Sequence, residues 1–138
     1  MHKPDNGLIS GTQGDRLALI EELRERSEKF TEANIVFITH DQVGRIVWLE
    51  TGKAGMRGAG LAHIVERHAK EFAKIGITEA QIPQYIMHAI QTGTIIAHQG
   101  VNRPVYEFVF RGQTHRLAIT TGRNGFIVGA NPRSIPKE

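Results

Sequence analysis

Two histidines, His63 and His68, stand five residues apart in "GLAHIVERHAKEF", beside Arg67, Lys70 and Lys74. Histidine titrates near neutrality, so acid–base or metal chemistry is sought here first. Metal chemistry fits poorly. On an α-helix, a spacing of five sets the two side chains about 140° apart. The zinc-protease pattern H-E-x-x-H uses a spacing of four, so that both ligands face one way. The chain has no cysteine, and no acidic cluster accompanies the histidines. Neither a metal nor a cofactor is expected.

At helical spacing, Leu61, Ile64, Val65, His68 and Phe72 form one stripe, and His63, Arg67, Lys70 and Lys74 lie on the opposite side. His68 thus takes a core position. It reads either as a buried histidine bonded to a backbone carbonyl or as one that reaches a cleft beside a sheet. His63 falls in the first turn after the glycine-rich run "TGKAGMRGAG". A helix N-terminus attracts anions, and a histidine accompanied by cations suits a phosphate. The competing reading of His63 is a solvated side chain.

Further candidates lie in "VYEFVFRGQTHRLAITTGRNGFIVGANP", which alternates as strands do. Val105, Glu107 and Val109 share one face, and Tyr106, Phe108 and Phe110 the other. Arg116, Ala118 and Thr120 project together, opposite His115, Leu117, Ile119 and Thr121. A face of arginine, alanine and threonine leaves room for a ligand, or simply meets solvent. Arg103 precedes Pro104, which fixes its backbone, and it could anchor a phosphate or line a loop. Thr121 and Arg123, in "TTGRNG", read first as turn residues and second as substrate contacts.

The elements that must hold these residues follow from pattern. The 138 residues suffice for one domain, and 40% apolar content suffices for one core. Residues 1–14 read as a flexible arm or linker, and 15–138 as a single domain. No apolar run is long enough to cross a membrane, and no secretion signal is evident, so no membrane contact is expected. "GDRLALIEELRERSEKF" reads as a helix with Leu17, Ile20, Leu23, Ser27 and Phe30 on one side. Glu22–Arg26 and Glu25–Lys29 are its i,i+4 pairs. Runs at Ile35–Thr39 and Arg45–Leu49 read as a hairpin. A helix from Leu61 to Ile75, closed by Gly76, precedes another with Pro83 in its first turn. Four strand-like runs, "TIIAH", "VYEFVF", "HRLAITT" and "GFIVGA", then form an antiparallel meander. The class is α+β, with N-terminal helices packed on a small twisted antiparallel sheet. Charge is uneven. Residues 1–97 carry 11 Lys+Arg against 12 Asp+Glu, and residues 98–138 carry 6 against 2. The basic excess suggests a polyanion surface in the C-terminal part.

The succession "GLAHIVERH", "IPQYIMHAIQTGTI", "RPVYEFVFRGQTHRLAITTG" and "GFIVGANP" is similar to the barnase–EndoU–colicin–RelE (BECR) class of ribonucleases. It most resembles the variants in phage polyvalent proteins and bacterial contact-dependent growth inhibition toxins. The resemblance spans Gly60 to Pro132. It implies a metal-independent endoribonuclease toxin domain that cleaves tRNA to a 2′,3′-cyclic phosphate in the bacterial cytoplasm. It also implies delivery as the C-terminal part of a secreted or cell-surface protein, a cognate immunity protein and, in some cases, a translation elongation factor as partner. Carried over by position, the catalytic set is His63, His68, Arg103, Tyr106, Arg116 and Thr120. Arg67, Lys70, Thr121 and Arg123 are the candidate substrate contacts.

The residue types agree in kind. Metal-free RNA cleavage needs a base for the 2′-hydroxyl proton, an acid for the leaving 5′-oxygen, and donors around the transition state. Residues 98–138 hold only Glu107 and Glu138 as acids, too few for a two-metal site. Two other readings are a non-catalytic RNA-binding or partner-binding module, and a transferase using the glycine run. The run lacks the order G-x-x-x-x-G-K-[ST], which ranks the transferase last.

Overall fold

The computed structural model describes residues 13–99 and 103–134. The expected arm lies outside them, save positions 13 and 14, which already belong to the first helix. Alternation of apolar residues builds an antiparallel meander of β3 (Thr94–His98), β4 (Pro104–Phe110), β5 (Gln113–Thr121) and β6 (Ile127–Arg133), in that spatial order. Arg111 (φ 53°) and Gly112 (φ 79°) form the two-residue turn between β4 and β5. Two successive positive φ angles match the right-handed twist of the flanking strands. Pro132 cannot donate to a ladder, and it sits on β6, an outer strand of this sheet, where none is demanded of it.

One face of the meander carries Tyr106, Phe108, Leu117, Ile119 and Ala130 into the main core. Two helices cover that face. α2 (Leu61–Lys74) contributes Ile64 and Phe72, and α3 (Ile82–Thr92) contributes Ile82, Tyr85, Ile86, Ala89 and Ile90. Pro83 lies in the first turn of α3, as the sequence predicts. α2 ends in a Schellman motif. Ile77 N–H donates to Phe72 O at 2.9 Å, Gly76 N–H donates to Ala73 O at 3.0 Å, and Gly76 supplies φ 84°. Phe72 and Ile77 are both buried, which fixes where the chain leaves the helix.

The hairpin β1 (Ile35–His40) and β2 (Ile46–Glu50) forms a separate two-stranded sheet. A parallel bridge from Trp48 to Phe126, the residue just before β6, joins it to the meander. All five residues of β2 are buried. Val47 and Leu49 point to the main core, while Ile46 and Trp48 meet Ile20 and Leu23 of α1 (Gln13–Glu25). The sheet class and the helices thus agree with the α+β expectation. α1 is shorter than its periodicity predicts. Ser27 adopts φ 59°, and Glu28 N–H closes back on Leu23 O at 3.2 Å. The chain reverses there, so Phe30 reaches the cluster around Trp48 from a loop. Arg26 still pairs with Glu22, but Lys29 lies past the helix end and cannot make the expected turn-to-turn pair with Glu25.

Gly60 decides where α2 begins. It adopts φ 82°, and a Cβ there would stand 2.8 Å from Glu50 O and 2.9 Å from Gly52 Cα. Its N–H donates to Val128 O of β6 at 3.0 Å, and Ala62 N–H donates to Thr51 O at 2.8 Å. By contrast, nothing lies within 4 Å of a Cβ at Gly76. Gly76→Ala is therefore expected to cost about 1–2 kcal/mol, the left-handed strain alone. Gly60→Ala adds a backbone clash and is expected to cost several kcal/mol, on the order of 3 or more. Urea unfolding of both variants checks the ordering, and equal costs would show that Gly60 is not a point of close approach.

Candidate functional site

The face of the meander opposite the helices is where polar side chains gather. Arg103 enters from the start of β4. Its Nε donates to Thr120 Oγ1 on β5, and its Nη1 donates to Asn131 Oδ1 on β6 at 2.8 Å. Thr120 pairs with Gly129 and Ala118 pairs with Asn131, so Thr120 and Asn131 are diagonal neighbours. The guanidinium between them lies across the small Ala118 and Gly129. A Cβ at Gly129 would come within 4.0 Å of Arg103 Nη2. The room expected beside Ala118 is therefore occupied by Arg103, which is itself held by two fixed acceptors. Asn131 is buried, and its Oδ1 is satisfied by this arginine. The sequence reading missed Asn131. The pairing spans 28 residues and has no local signature.

His63 lies in the first turn of α2. The Gly60–Val128 hydrogen bond brings the first turn of α2 against β6, one residue before Gly129. No side chain caps this turn, because the N-cap is Gly60. His63 is half-buried, and its Nδ1 is buried without a hydrogen-bond partner. A Cβ at Gly58 would stand 2.9 Å from that nitrogen and 2.3 Å from Lys53 O. The glycine run thus folds tightly over His63. Lys53 and Ala59 pair across its base, and Gly55 N–H donates to Glu66 Oε1 at 2.8 Å. The run is a small closed loop tied to α2.

The other predicted residues divide. His68 is not on the core stripe proper. Its Nδ1 lies 2.5 Å from Glu71 Oε2, one turn on, at 26% side-chain exposure. Ile64 and Phe72 hold the stripe's centre, and His68 sits at its margin, where a carboxylate partner is reachable. Arg67 and Lys70 are exposed on the same side of α2 as His63. Arg116 is paired with Glu107 directly across β4 and β5, through Nε and Nη2 at 3.0 Å each. Thr121 accepts from Arg45 Nη2 at 3.1 Å, which ties the meander to the hairpin. Arg123 is exposed in the β5–β6 turn.

Tyr106 is the clear correction. It is buried on the helix-covered face, beside Ile90 and Asp41, and does not join Arg103, Arg116 and Thr120. Strand alternation forces this, because Tyr106 is out of phase with Val105 and Glu107. Burial pushes its hydroxyl above the ordinary value, the charge of Asp41 adds to that, and Arg45 opposes it.

A second polar unit lies at the far end of the sheet. Tyr85 Oη and His115 Nδ1 are 2.8 Å apart. His115 stacks on Phe108 at 27° and meets Phe110 edge-on. Burial, and then the charge of Arg111, lower the His115 pKa, while burial raises that of Tyr85 well above the usual phenol range. Among the described residues, no three His, Cys, Asp or Glu side chains are placed to hold a metal ion. No described helix is long and apolar enough to cross a membrane. No protein-family model matches the chain, and no match is found among curated proteins.

The His115 shift fixes a sign. Its folded pKa lies below 6.5, so the unfolded chain binds the proton more readily. This contribution to stability is complete above the unfolded pKa and is lost as pH falls through the folded one. Thermal unfolding between about pH 7.5 and pH 5 is expected to show a fall in Tm that His115→Gln reduces. An unchanged pH slope in the variant would remove His115 as a source.

Proposed function

We propose that this chain is a metal-independent endoribonuclease domain that cuts tRNA by attack of a 2′-hydroxyl on its neighbouring phosphate. The observation that carries the reading is the junction of α2 with β6. There an imidazole with an unpartnered buried Nδ1 stands at an uncapped helix start, beside a strand whose open face holds Arg103 fixed by Thr120 and Asn131. In this reading His63 takes the proton from the 2′-hydroxyl, and solvent water protonates the leaving 5′-oxygen. Arg103 meets charge on the phosphate as the pentavalent state forms. Preorganisation supports the assignment, since Arg103 needs no rearrangement to present its remaining N–H groups. His68, bound to Glu71, and Arg116, bound to Glu107, take supporting rather than chemical roles. Arg67 and Lys70 supply sequence-independent attraction to the RNA backbone.

The same reading places the domain in a bacterial toxin, active in the cytoplasm and carried as the C-terminal part of an exported protein. An acidic immunity protein would neutralise the arginine-bearing face, and an elongation factor would present the tRNA. A second reading, a non-catalytic RNA-binding or partner-binding module of this fold, draws support from two observations. Tyr106 is buried away from the open face, and Arg116 is already neutralised.

Incubation of the purified chain with tRNA separates the two. The expected result is discrete cleavage that persists in EDTA. His63→Ala should slow it by about a hundredfold or more. Tyr106→Phe should leave the rate within a few-fold of the parent. Salt-sensitive binding without any cut would favour the module, and loss of cleavage in EDTA would overturn the metal-free mechanism.

A further inference from the structure

The Tyr85–His115 unit opens into a cleft of about 440 Å3 beyond the C-terminal end of α2, lined also by Lys74, Arg116 and Arg133. None of its lining residues is acidic. Arg116 and Arg133 face each other directly across β5 and β6. Like charges in that position are destabilising. Glu107 is on the far side of Arg116 and offsets only one of the two. Lys74 and Arg133 are exposed and add further positive charge. Tyr85 occupies His115 Nδ1, so Nε2 is the ring nitrogen left to meet a ligand. A hydroxyl that donates to Nδ1 holds the proton on Nε2, which makes that nitrogen a donor.

We propose that this cleft is a second phosphate-binding site, which holds the RNA strand a few nucleotides from the His63 junction. The proposal rests on the RNA reading above. Position favours it. α2 runs beside β6, with Gly60 at Val128 and Lys74 in the cleft with Arg133. Along β5, the Arg116 row is about 13 Å from the Thr120 row. The His63, Arg67, Lys70 and Lys74 side of α2 spans about 16 Å over the same interval. A strand cut at the junction would thus follow a basic track to the cleft, where Arg116 serves in binding rather than in chemistry.

The test follows the His115 ring signals of the full chain by NMR. One arm adds inorganic phosphate, and the other adds a 2′-O-methyl RNA oligonucleotide that the 2′-hydroxyl route cannot cut. Both are expected to shift His115. The double variant Lys74→Ala/Arg133→Ala, altered only at exposed positions, is expected to lose the phosphate response. It should bind the RNA about tenfold more weakly, with a salt slope shallower by about 0.7–1.4. A His115 signal unmoved by both ligands, or parental RNA affinity in the variant, would overturn the site. A response to phosphate alone would overturn the RNA assignment. Tyr85→Phe keeps the ring packing and is expected to change the His115 tautomer balance. Binding of the modified RNA through His115, with unmodified tRNA left intact, would uphold the site while the ribonuclease reading fails.

Discussion

The hydrogen bond from Gly60 N–H to Val128 O sets the relation on which the rest depends, because it seats the start of α2 against the outer strand of the meander. Strand β6 continues beyond its bridge to the hairpin with a side that no further strand covers. An uncovered strand edge invites pairing with other chains, and a helix laid beside it removes that hazard. The same contact that protects β6 brings a histidine and an uncapped helix start to the strand that carries Gly129 and Asn131. A side chain at position 60 would push this arrangement apart, since the backbone of Glu50 and Gly52 lies at contact distance.

The meander divides its labour by face. The inner face buries aromatic and aliphatic residues against α2 and α3, which fixes the strands. The outer face can then hold charge in defined places. Arg103 sits in a rigid fork between Thr120 and Asn131, and Glu107, Arg116 and Arg133 form a row across three strands. A row with two arginines and one glutamate carries net positive charge at a cost in stability, which an anionic ligand would relieve. Hydrogen bonding to Thr120 and Asn131 keeps Arg103 ordered without neutralising it, whereas Glu107 does neutralise Arg116. That difference separates the two arginines, which look equivalent in sequence.

Local rules read much of this fold from sequence. The period of α2, the proline at the start of α3 and the four strand runs depend on neighbours a few residues apart, and the structure places them accordingly. The end of α1 did not follow its periodicity, because Ser27 takes a left-handed conformation that no flanking glycine announces. For the site, strand alternation already set Tyr106 against Val105 and Glu107, so resemblance placed it where the residue pattern would not. His68 falls at the margin of its helical stripe, where a difference of a few tens of degrees decides between core and a carboxylate partner. Asn131, Tyr85 and His115 were out of reach for a different reason. Each gains its meaning from a partner 28 or 30 residues away, brought close only by the strand register and the packing of α3.

The α2–β6 junction is the proposed place where a 2′-hydroxyl is deprotonated and a 5′-oxygen leaves. The chemistry of the product ends tests that most directly. Mass spectrometry of tRNA fragments produced by the purified chain is predicted to find 2′,3′-cyclic phosphate on one side of the cut and 5′-hydroxyl on the other. Fragments bearing 5′-phosphate and 3′-hydroxyl would mean that water or a metal-bound hydroxide is the nucleophile, and would contradict it.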